Sequence, residues 1–241
     1  MSALKRKLII IICLAVIAGG TFVLSNPELF LKYKTDTNFE YIEEDGSLTL
    51  TKYLGDNKNL IIPAEIDSKP VRSIKGAFFN NITVCNVKIS EGIESVDYMS
   101  FYGCTSILKI ELPSSLKTIG HAAFLGCLSL EEVVMKPGVI EIMPYAFSDC
   151  PSLEKITLPG TLEFIGDSAF SKCVSLKTLT IPASVKVIGG VTVADDSGEP
   201  VNLAGTLNES AFEGCSRLEL SVDEGNPWYC VKNEKIVIKE S

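Results

Sequence analysis

Hydrophobic residues recur along most of the chain at a fixed interval of 23 residues. The interval is clearest for phenylalanine, which occupies positions Phe78, Phe101, Phe124, Phe147 and Phe170. Phe212 comes 42 residues after Phe170, which is one interval and 19 extra residues. The sequence between successive phenylalanines also repeats, as in "LKIELPSSLKTIGHAAFLGC" and "LEKITLPGTLEFIGDSAFSKC". A period in the twenties predicts a solenoid in which every repeat forms one coil.

The repeat over residues 153–173 shows how one coil is expected to fold. Alternation within "LEKITL" predicts a short strand whose inward residues are Leu153, Ile156 and Leu158. Pro159 ends that strand because it lacks an amide hydrogen. Leu162 and Ile165 form a second inward pair on the return side, and Gly166 is expected to take a positive φ at the corner. Phe170 then fills the width of the coil, and stacked coils share one core with parallel strands.

Cysteines follow the same interval, at Cys104, Cys127, Cys150, Cys173 and, after the extra residues, Cys215. Parallel rungs stack about 4.8 Å apart, which would bring successive thiols within reach of each other. Side chains in register point the same way, however, and the crossed geometry of a disulfide would twist the coils apart. Buried free thiols are therefore predicted. Asn81 stands where the first of these cysteines would fall and is expected to point inward and hydrogen-bond the loop backbone.

The pattern LP-x-x-L-x-x-IG-x-x-AF-x-x-C resembles the BspA-type leucine-rich repeat of bacterial and protist surface proteins, and it covers about residues 39–240. The resemblance implies a β-rich leucine-rich repeat solenoid that is curved and built from short parallel strands. It also implies a repeat domain over 38–240. That domain would comprise an N-terminal cap at 38–75 with a hairpin turn at Asp45-Gly46, repeats over 76–218, and a C-terminal cap at 219–240 closed by Trp228 and Tyr229.

The first 25 residues are distinct from the repeats. Lys5, Arg6 and Lys7 precede 17 uncharged residues, Leu8–Leu24, which is short for a membrane span and slightly long for a signal-peptide core. An uncleaved transmembrane anchor and a cleaved signal peptide both fit. In either case the charges place the following domain outside the cytoplasm, on a single-pass membrane protein or in secreted form. Residues 26–37 are predicted to form a polar stalk.

Charge and residue composition limit the ligands and reactions that this chain could support. The net charge of −8 gives the repeats no general attraction to nucleic acid. His121 is the only histidine and falls at a variable position, so it is interpreted as a surface or corner residue. The three Ser-x-x-Lys motifs, at Ser106–Lys109, Ser114–Lys117 and Ser152–Lys155, lack the companion motifs of Ser-Lys enzymes. No enzyme activity, cofactor or metal site is predicted. The extra residues, 190–208, are expected to form a hairpin on the return side, and their Asp195, Asp196 and Glu199 lack the spacing of a calcium loop.

The remaining candidate for function is the outward face of the strands. The residues expected there are Lys88, Lys109, Glu111, Glu132, Val134, Lys155, Thr157, Thr178 and Thr180. Lys and Glu alternate between neighbouring rungs, so Lys88–Glu111, Lys109–Glu132 and Glu132–Lys155 pairs are predicted. One hypothesis is a surface interaction module of adhesion type, which binds a host or neighbouring-cell protein through this face. The alternative is a structural spacer or envelope-assembly element without a dedicated ligand.

Overall fold

A computed structural model describes residues 34–35, 37–190, 206–232 and 235–238. The predicted anchor or signal peptide, 1–25, lies outside the described residues, as does most of the predicted stalk. In the described part of the chain, no helix combines the length and hydrophobicity that a membrane crossing requires. The described residues form twenty strands, β1–β20 in chain order, and one 3-10 helix, Glu209–Phe212.

Two sheets of parallel rungs dominate the fold. The front sheet contains β1 (Lys34–Thr35), β4 (Asn59–Ile62), β7 (Asn86–Ile89), β9 (Lys109–Leu112), β11 (Glu132–Met135) and β13 (Lys155–Ile156), in that order. The back sheet contains β2 (Phe39–Glu44), β3 (Ser47–Tyr53), β6 (Lys69–Ile74), β8 (Ser95–Val96), β10 (Thr118–Ile119), β12 (Glu141–Ile142), β14 (Phe164–Gly166), β16 (Val187–Gly190) and β17 (Thr206–Leu207), with β5 (Glu65–Ile66) beside β6.

Two further strand pairs complete the structure. β15 (Thr178–Ile181) pairs in parallel with β18 (Glu219–Val222), and β19 (Tyr229–Lys232) pairs antiparallel with β20 (Lys235–Ile238). From β7 to β13 in front and from β8 to β14 behind, partners across neighbouring rungs are 23 residues apart, as for Lys109 and Glu132 in front and Ile119 and Ile142 behind. The predicted solenoid of 23-residue coils with parallel strands is confirmed.

The phenylalanines form one continuous stack inside the coils, the phenylalanine ladder. Its ring centroids are 4.6, 5.1, 5.1, 5.4 and 5.9 Å apart from Phe78 to Phe212, and neighbouring ring planes lie within 10°. Phe101, Phe124, Phe147 and Phe170 are completely buried. Each ring therefore covers the next coil's ring, and the core runs from coil to coil without interruption.

The cysteines form a second stack, the thiol ladder, composed of Cys104, Cys127, Cys150, Cys173 and Cys215. Each Sγ donates a hydrogen bond of 2.9–3.2 Å to the carbonyl of the ladder phenylalanine in the preceding coil. The cysteines of the described residues are free thiols, as predicted. Burial raises the pKa of Cys104 to about 12 and also raises the pKa values of Cys150 and Cys173. The ladder thiols are thus structural hydrogen-bond donors between coils.

Asn81, at the position where the first ladder cysteine would fall, caps the backbone of its own loop. Its Oδ1 accepts hydrogen bonds of 2.9 Å from the amides of Thr83 and Val84. The predicted bond to the loop backbone is confirmed, although Asn81 is half-buried rather than fully inward.

Gly166 does not have the positive φ predicted for it. The left-handed residues of this coil are Ser168 and Lys172, with φ of 53° and 60°. Gly166 is required for a different reason: a Cβ there would lie against the backbone of the preceding coil, 2.6 Å from the carbonyl carbon of Met143. Gly120 has the same role, because its Cβ would lie 2.7 Å from the carbonyl carbon of Asp97. Close packing of coils, not turn geometry, selects glycine at this corner.

The N-terminal cap is the predicted hairpin. β2 and β3 pair antiparallel around Asp45-Gly46, whose φ values are 50° and 73°. Both values lie in the left-handed region that tight hairpin turns use. The cap extends further than predicted, because Lys34–Thr35, assigned to the stalk, form β1 and pair with β4.

In the C-terminal cap, one aromatic side chain covers the last coil instead of the two predicted. Tyr229 is completely buried, and its hydroxyl donates a 2.7 Å hydrogen bond to the carbonyl of Lys186. Trp228 is 38% exposed. The buried Asn226 sets this arrangement: its Oδ1 accepts from the amides of both aromatic residues, while its Nδ2 donates to the carbonyls of Pro182 and Val185.

The predicted insertion leaves from the back sheet, as expected. Gly190 ends β16, and Thr206–Leu207 return as β17, parallel to β16. Phe212 still stacks directly on Phe170, so the phenylalanine ladder is not interrupted. Residues 191–205, which include the predicted hairpin and its three acidic residues, lie outside the described residues.

Candidate functional site

The residues predicted on the strand face all project outward from the front rungs. Lys88 lies on β7, Lys109 and Glu111 on β9, Glu132 and Val134 on β11, Lys155 on β13, Thr157 just after it, and Thr178 and Thr180 on β15. Each is exposed or half-buried, while its strand neighbours Val87, Ile110, Val133, Ile156 and Leu179 are buried. The fold therefore places these residues on one side of successive coils, as alternation predicts.

Charged residues pair across this face in two of the three predicted places. Lys88 Nζ lies 4.0 Å from Glu111, and Lys109 Nζ lies 3.4 Å from Glu132 and 3.8 Å from Glu111. Glu132 is aligned with Lys155, but no ion pair joins them among the described side chains. Exposed pairs of this kind contribute at most about 1 kcal/mol each. They therefore add little to the stability of the fold.

The front ladder is broken after Lys155–Ile156. β13 is the last strand of the front sheet, and β15 pairs only with β18. The back sheet continues past the same two coils, since Phe164 and Ile165 of β14 pair with Val187 and Ile188 of β16. A groove of about 330 Å³ lies at the break, between β13 and β15. The sequence gives no sign of this break, because the repeat phrase is intact on both sides.

A second surface, at the corner between the back sheet and the phenylalanine ladder, carries aromatic residues. His121 stacks on Tyr98 with a centroid distance of 5.6 Å and lies at the same distance from Tyr145. Phe79 stacks on Tyr102 at 5.0 Å. His121 is exposed, which confirms its interpretation as a surface residue. Reading the sequence in columns of 23 would have aligned Tyr98 with His121 and Phe79 with Tyr102.

A family model described as the BspA type leucine rich repeat region matches residues 72–197 in six copies. The chain belongs to the BspA-type leucine-rich repeat family. Its matched repeats span more than half of the sequence and include the coils that carry β7 to β13 of the front sheet and the separate strand β15.

Solved structures of bacterial leucine-rich repeat proteins resemble this BspA-type domain. The T. pallidum leucine-rich repeat protein TpLRR is 29% identical with a TM-score of 0.65, over 77% of this chain and 78% of that one. A leucine rich cell surface protein of Faecalibacterium prausnitzii is 27% identical with a TM-score of 0.64, over 86% of this chain. The match spans only 58% of that longer protein. No curated protein sequence matches the chain.

Three of the polar residues considered for catalysis in this BspA-type domain, His121, Ser114 and Ser152, contact other groups of the fold. His121 contacts tyrosine rings. Two serines of the Ser-x-x-Lys motifs are hydrogen-bonded, Ser114 Oγ to Glu91 at 3.0 Å and Ser152 Oγ to the carbonyl of Leu128 at 2.7 Å. Over the described ranges, His, Cys, Asp and Glu form no group that could hold a metal ion. The family and its structural neighbours are repeat scaffolds.

Glu91 links three successive coils of the BspA-type domain. Its carboxylate lies 2.7 Å from Lys136 Nζ and accepts hydrogen bonds from the amides of Ser114 and Ser115 and from the Ser114 hydroxyl. The hydrogen bond from Lys136 is the main reason that the pKa of Glu91 falls to about 2. The charged form is therefore favoured in the folded protein.

Glu91→Gln is expected to lower stability at neutral pH by about 0.5–1 kcal/mol, a small value because the pair is exposed to solvent. The folded-state pKa lies below the ordinary value, so the contribution is present above about pH 4.5 and is lost as the pH falls toward 2. Thermal unfolding of both proteins between pH 7 and pH 2 measures this. The difference should shrink on acidification, and Glu154→Gln, at an exposed carboxylate with no ion pair in the described residues, is the control. A difference that persists at pH 2 would contradict the assignment.

Proposed function

We propose that this chain is an extracytoplasmic interaction protein that binds a partner protein through its front sheet. The observation that carries the proposal is the fixed array of outward Lys and Glu side chains on rungs that pair in register. Electrostatic complementarity of this kind gives specificity and fast association even where single ion pairs add little affinity. Membership of a repeat-scaffold family and resemblance to a cell surface protein of F. prausnitzii support the proposal.

The experiment measures binding of the purified full chain to a panel of purified cell-surface and matrix proteins by surface plasmon resonance. The test variant reverses three front charges, Lys109→Glu, Glu132→Lys and Lys155→Glu. The control variant, Lys117→Glu, reverses an exposed charge next to the back sheet. Saturable binding that survives the control and is lost in the test variant supports the proposal. Binding that is indifferent to the front charges contradicts it, and absence of binding to the whole panel favours the structural spacer.

The proposed location rests on Lys5, Arg6 and Lys7 before the uncharged segment Leu8–Leu24. Such a basic start keeps the N-terminus in the cytoplasm and directs the following domain across the membrane. Fractionation of cells that express the full chain tests this. Recovery in the membrane fraction supports an anchored adhesion-type protein, and release into the medium supports a cleaved signal peptide. Recovery in the cytosol would contradict both.

A further inference from the structure

The loop that opens the array is shorter than the turns of the later coils. In the first full coil, residues 79–85 connect the ladder ring of Phe78 to the front strand β7, and they are called the first turn. In the N-terminal cap, Tyr53 takes the place of the ladder phenylalanine, because its ring centroid lies 5.2 Å from that of Phe78. Residues 54–58 alone connect Tyr53 to β4. The first turn therefore has no full turn packed against its N-terminal side.

A groove of about 480 Å³, the N-terminal groove, lies where that missing turn would pack. Phe79 and Ile82 of the first turn line it, with exposed fractions of 51% and 70%, and Thr51 and Lys52 of β3 line it too. One face of the Phe79 ring is covered by Tyr102, and no other ring of the described residues stacks on it. The volume lies in the range of sites that hold a side chain or a small ligand.

The carbonyl of Phe79 is the backbone group that the short loop leaves without a donor. In the second coil, the equivalent carbonyl of Tyr102 accepts a 2.7 Å hydrogen bond from the amide of Asn80. The same bond recurs along the array, from Gly103 to Leu125, Gly126 to Ser148, Asp149 to Ser171 and Lys172 to Glu213. No amide of the described residues donates to the carbonyl of Phe79. The first turn thus offers an acceptor that its counterparts in the later coils use.

The packing of the first turn on the second shows which groups complement such a surface. Tyr102 is covered by a ring, that of Phe79, with centroids 5.0 Å apart and planes within 7°. The amide of the next residue, Asn80, bonds to the Tyr102 carbonyl. The first turn presents the same pair of features, a ring face and a carbonyl, to the N-terminal groove. Its complement is therefore an aromatic side chain followed by a backbone amide.

We propose that the N-terminal groove binds an exposed turn of a partner protein that carries an aromatic residue followed by a free backbone amide. The partner's ring stacks on Phe79, and its amide donates to the Phe79 carbonyl. The turn also covers Ile82. A second copy of this chain does not meet the requirement, because its Asn80 amide is already bonded to Tyr102. The site is separate from the front-sheet charges and goes beyond the proposed function.

The first measurement detects the new hydrogen bond at the Phe79 carbonyl. Phe79-Asn80 is the only Phe-Asn pair in the sequence, so labelling the full chain with ¹³C-carbonyl phenylalanine and ¹⁵N-asparagine gives one correlated NMR signal for it. The probe is a head-to-tail cyclic peptide that copies residues 76–83, GAFFNNIT, the segment that covers Tyr102. We expect the carbonyl resonance to move downfield and to saturate with peptide concentration. Absence of saturable binding, or binding that leaves this resonance in place, would overturn the proposal.

Two altered peptides separate the ring from the amide. Replacing the second phenylalanine of the peptide by alanine removes the stacking partner. Replacing the amide bond after that phenylalanine by an ester keeps every side chain and removes only the donor. Each change should weaken binding at least about fivefold, the fold-change that corresponds to a lost interaction of about 1 kcal/mol. An ester peptide that binds as well as the parent would show that the Phe79 carbonyl is not used.

Protein variants then place the peptide in the groove, with affinity measured by fluorescence anisotropy. Phe79→Ala should weaken binding at least about tenfold, whereas Phe79→Tyr keeps a ring and should bind normally. Leu128→Ala is the matched control, because Leu128 is 49% exposed and lies outside the groove. Equal losses for Phe79→Ala and Leu128→Ala would contradict the site.

Two further arms test which partner class uses the groove and whether it is independent of the front sheet. Sugars also stack on exposed rings, so chitotriose is the competitor; if it displaces the peptide while the ester peptide binds normally, the groove is a sugar site and the proposal is wrong. Reversal of Lys109, Glu132 and Lys155 should leave peptide binding unchanged. Loss of peptide binding in that variant would place the peptide on the front sheet instead, and would contradict the N-terminal groove without affecting the proposed function.

Discussion

Replacing Phe124 by alanine is expected to lower the free energy of unfolding by about 3–5 kcal/mol, the range for deleting a fully buried phenylalanine. Its ring lies 5.1 Å from Phe101 on one side and 5.1 Å from Phe147 on the other, so the deletion leaves a gap between two coils. The coils are held at their spacing by two sheets, which limits collapse around the gap. Urea denaturation followed by circular dichroism measures the loss.

Phe79→Ala is the matched control for this prediction. Phe79 is the next residue after a ladder phenylalanine, but it is 51% exposed and stacks on Tyr102 at the surface. Its removal should cost less than about 1 kcal/mol, as is usual for surface substitutions outside special contacts. Equal losses for the two variants would show that the phenylalanine ladder is not the core of the fold. Neighbouring coils depend on each other in such arrays, so loss of a central ring should also broaden the unfolding transition.

Gly166→Ala is expected to destabilise the protein by about 2–3 kcal/mol, because small-to-large changes in a packed interior force backbone shifts. The added Cβ would overlap the backbone amide of Pro144 and lie 2.6 Å from the carbonyl carbon of Met143. Neither atom belongs to a flexible side chain, so the two coils must move apart. Thermal unfolding of the variant measures the cost.

Gly160→Ala is the control at a glycine of the same coil. A Cβ at Gly160 meets no atom within 4 Å, and its φ lies outside the left-handed region. This variant should change stability by less than about 1 kcal/mol, or even stabilise by reducing the freedom of the unfolded chain. If Gly166→Ala is as mild as Gly160→Ala, close approach between coils is not what requires glycine at position 166.

The sequence was sufficient for features that depend on periodicity. Phe170, Cys173 and the inward residues of segment 153–158 are buried where the 23-residue interval places them. The same alternation predicted which residues point outward. Every residue of the predicted strand face accordingly lies on the front sheet, directly after β13, or on β15. A repeating unit fixes the local environment of each position, and stacking then copies it along the array.

Features that depend on how one coil meets the next could not be predicted. The role of Gly166 is set by the backbone of Met143 and Pro144, which lies more than 20 residues away in the chain. The thiol hydrogen bonds likewise need the position of a carbonyl in the preceding coil. The break between β13 and β15 separates strands whose sequences follow the same repeat pattern. The pattern therefore carries no information about the break.

The front sheet depends on the internal ladders for its geometry. Each outward side chain is held at its rung because the inward neighbours, such as Ile110 and Val133, are buried against the shared core. Charges on Lys109 and Glu132 therefore keep their spacing without strong ion pairs. The same dependence explains why the groove after β13 is bounded: the back sheet and the phenylalanine ladder hold the two coils together while the front ladder is open.

Alkylation of the native full chain by iodoacetamide at pH 8, followed by peptide mapping, tests the stacked-coil account most directly. Cys104, Cys127, Cys150 and Cys173 are completely buried, and the pKa of Cys104 is about 12, so these thiols should stay unlabelled until urea unfolds the protein. The partly exposed Cys85 should react in the native state. Labelling of the four ladder thiols as fast as Cys85, before unfolding, would contradict the coil stack and the front sheet derived from it.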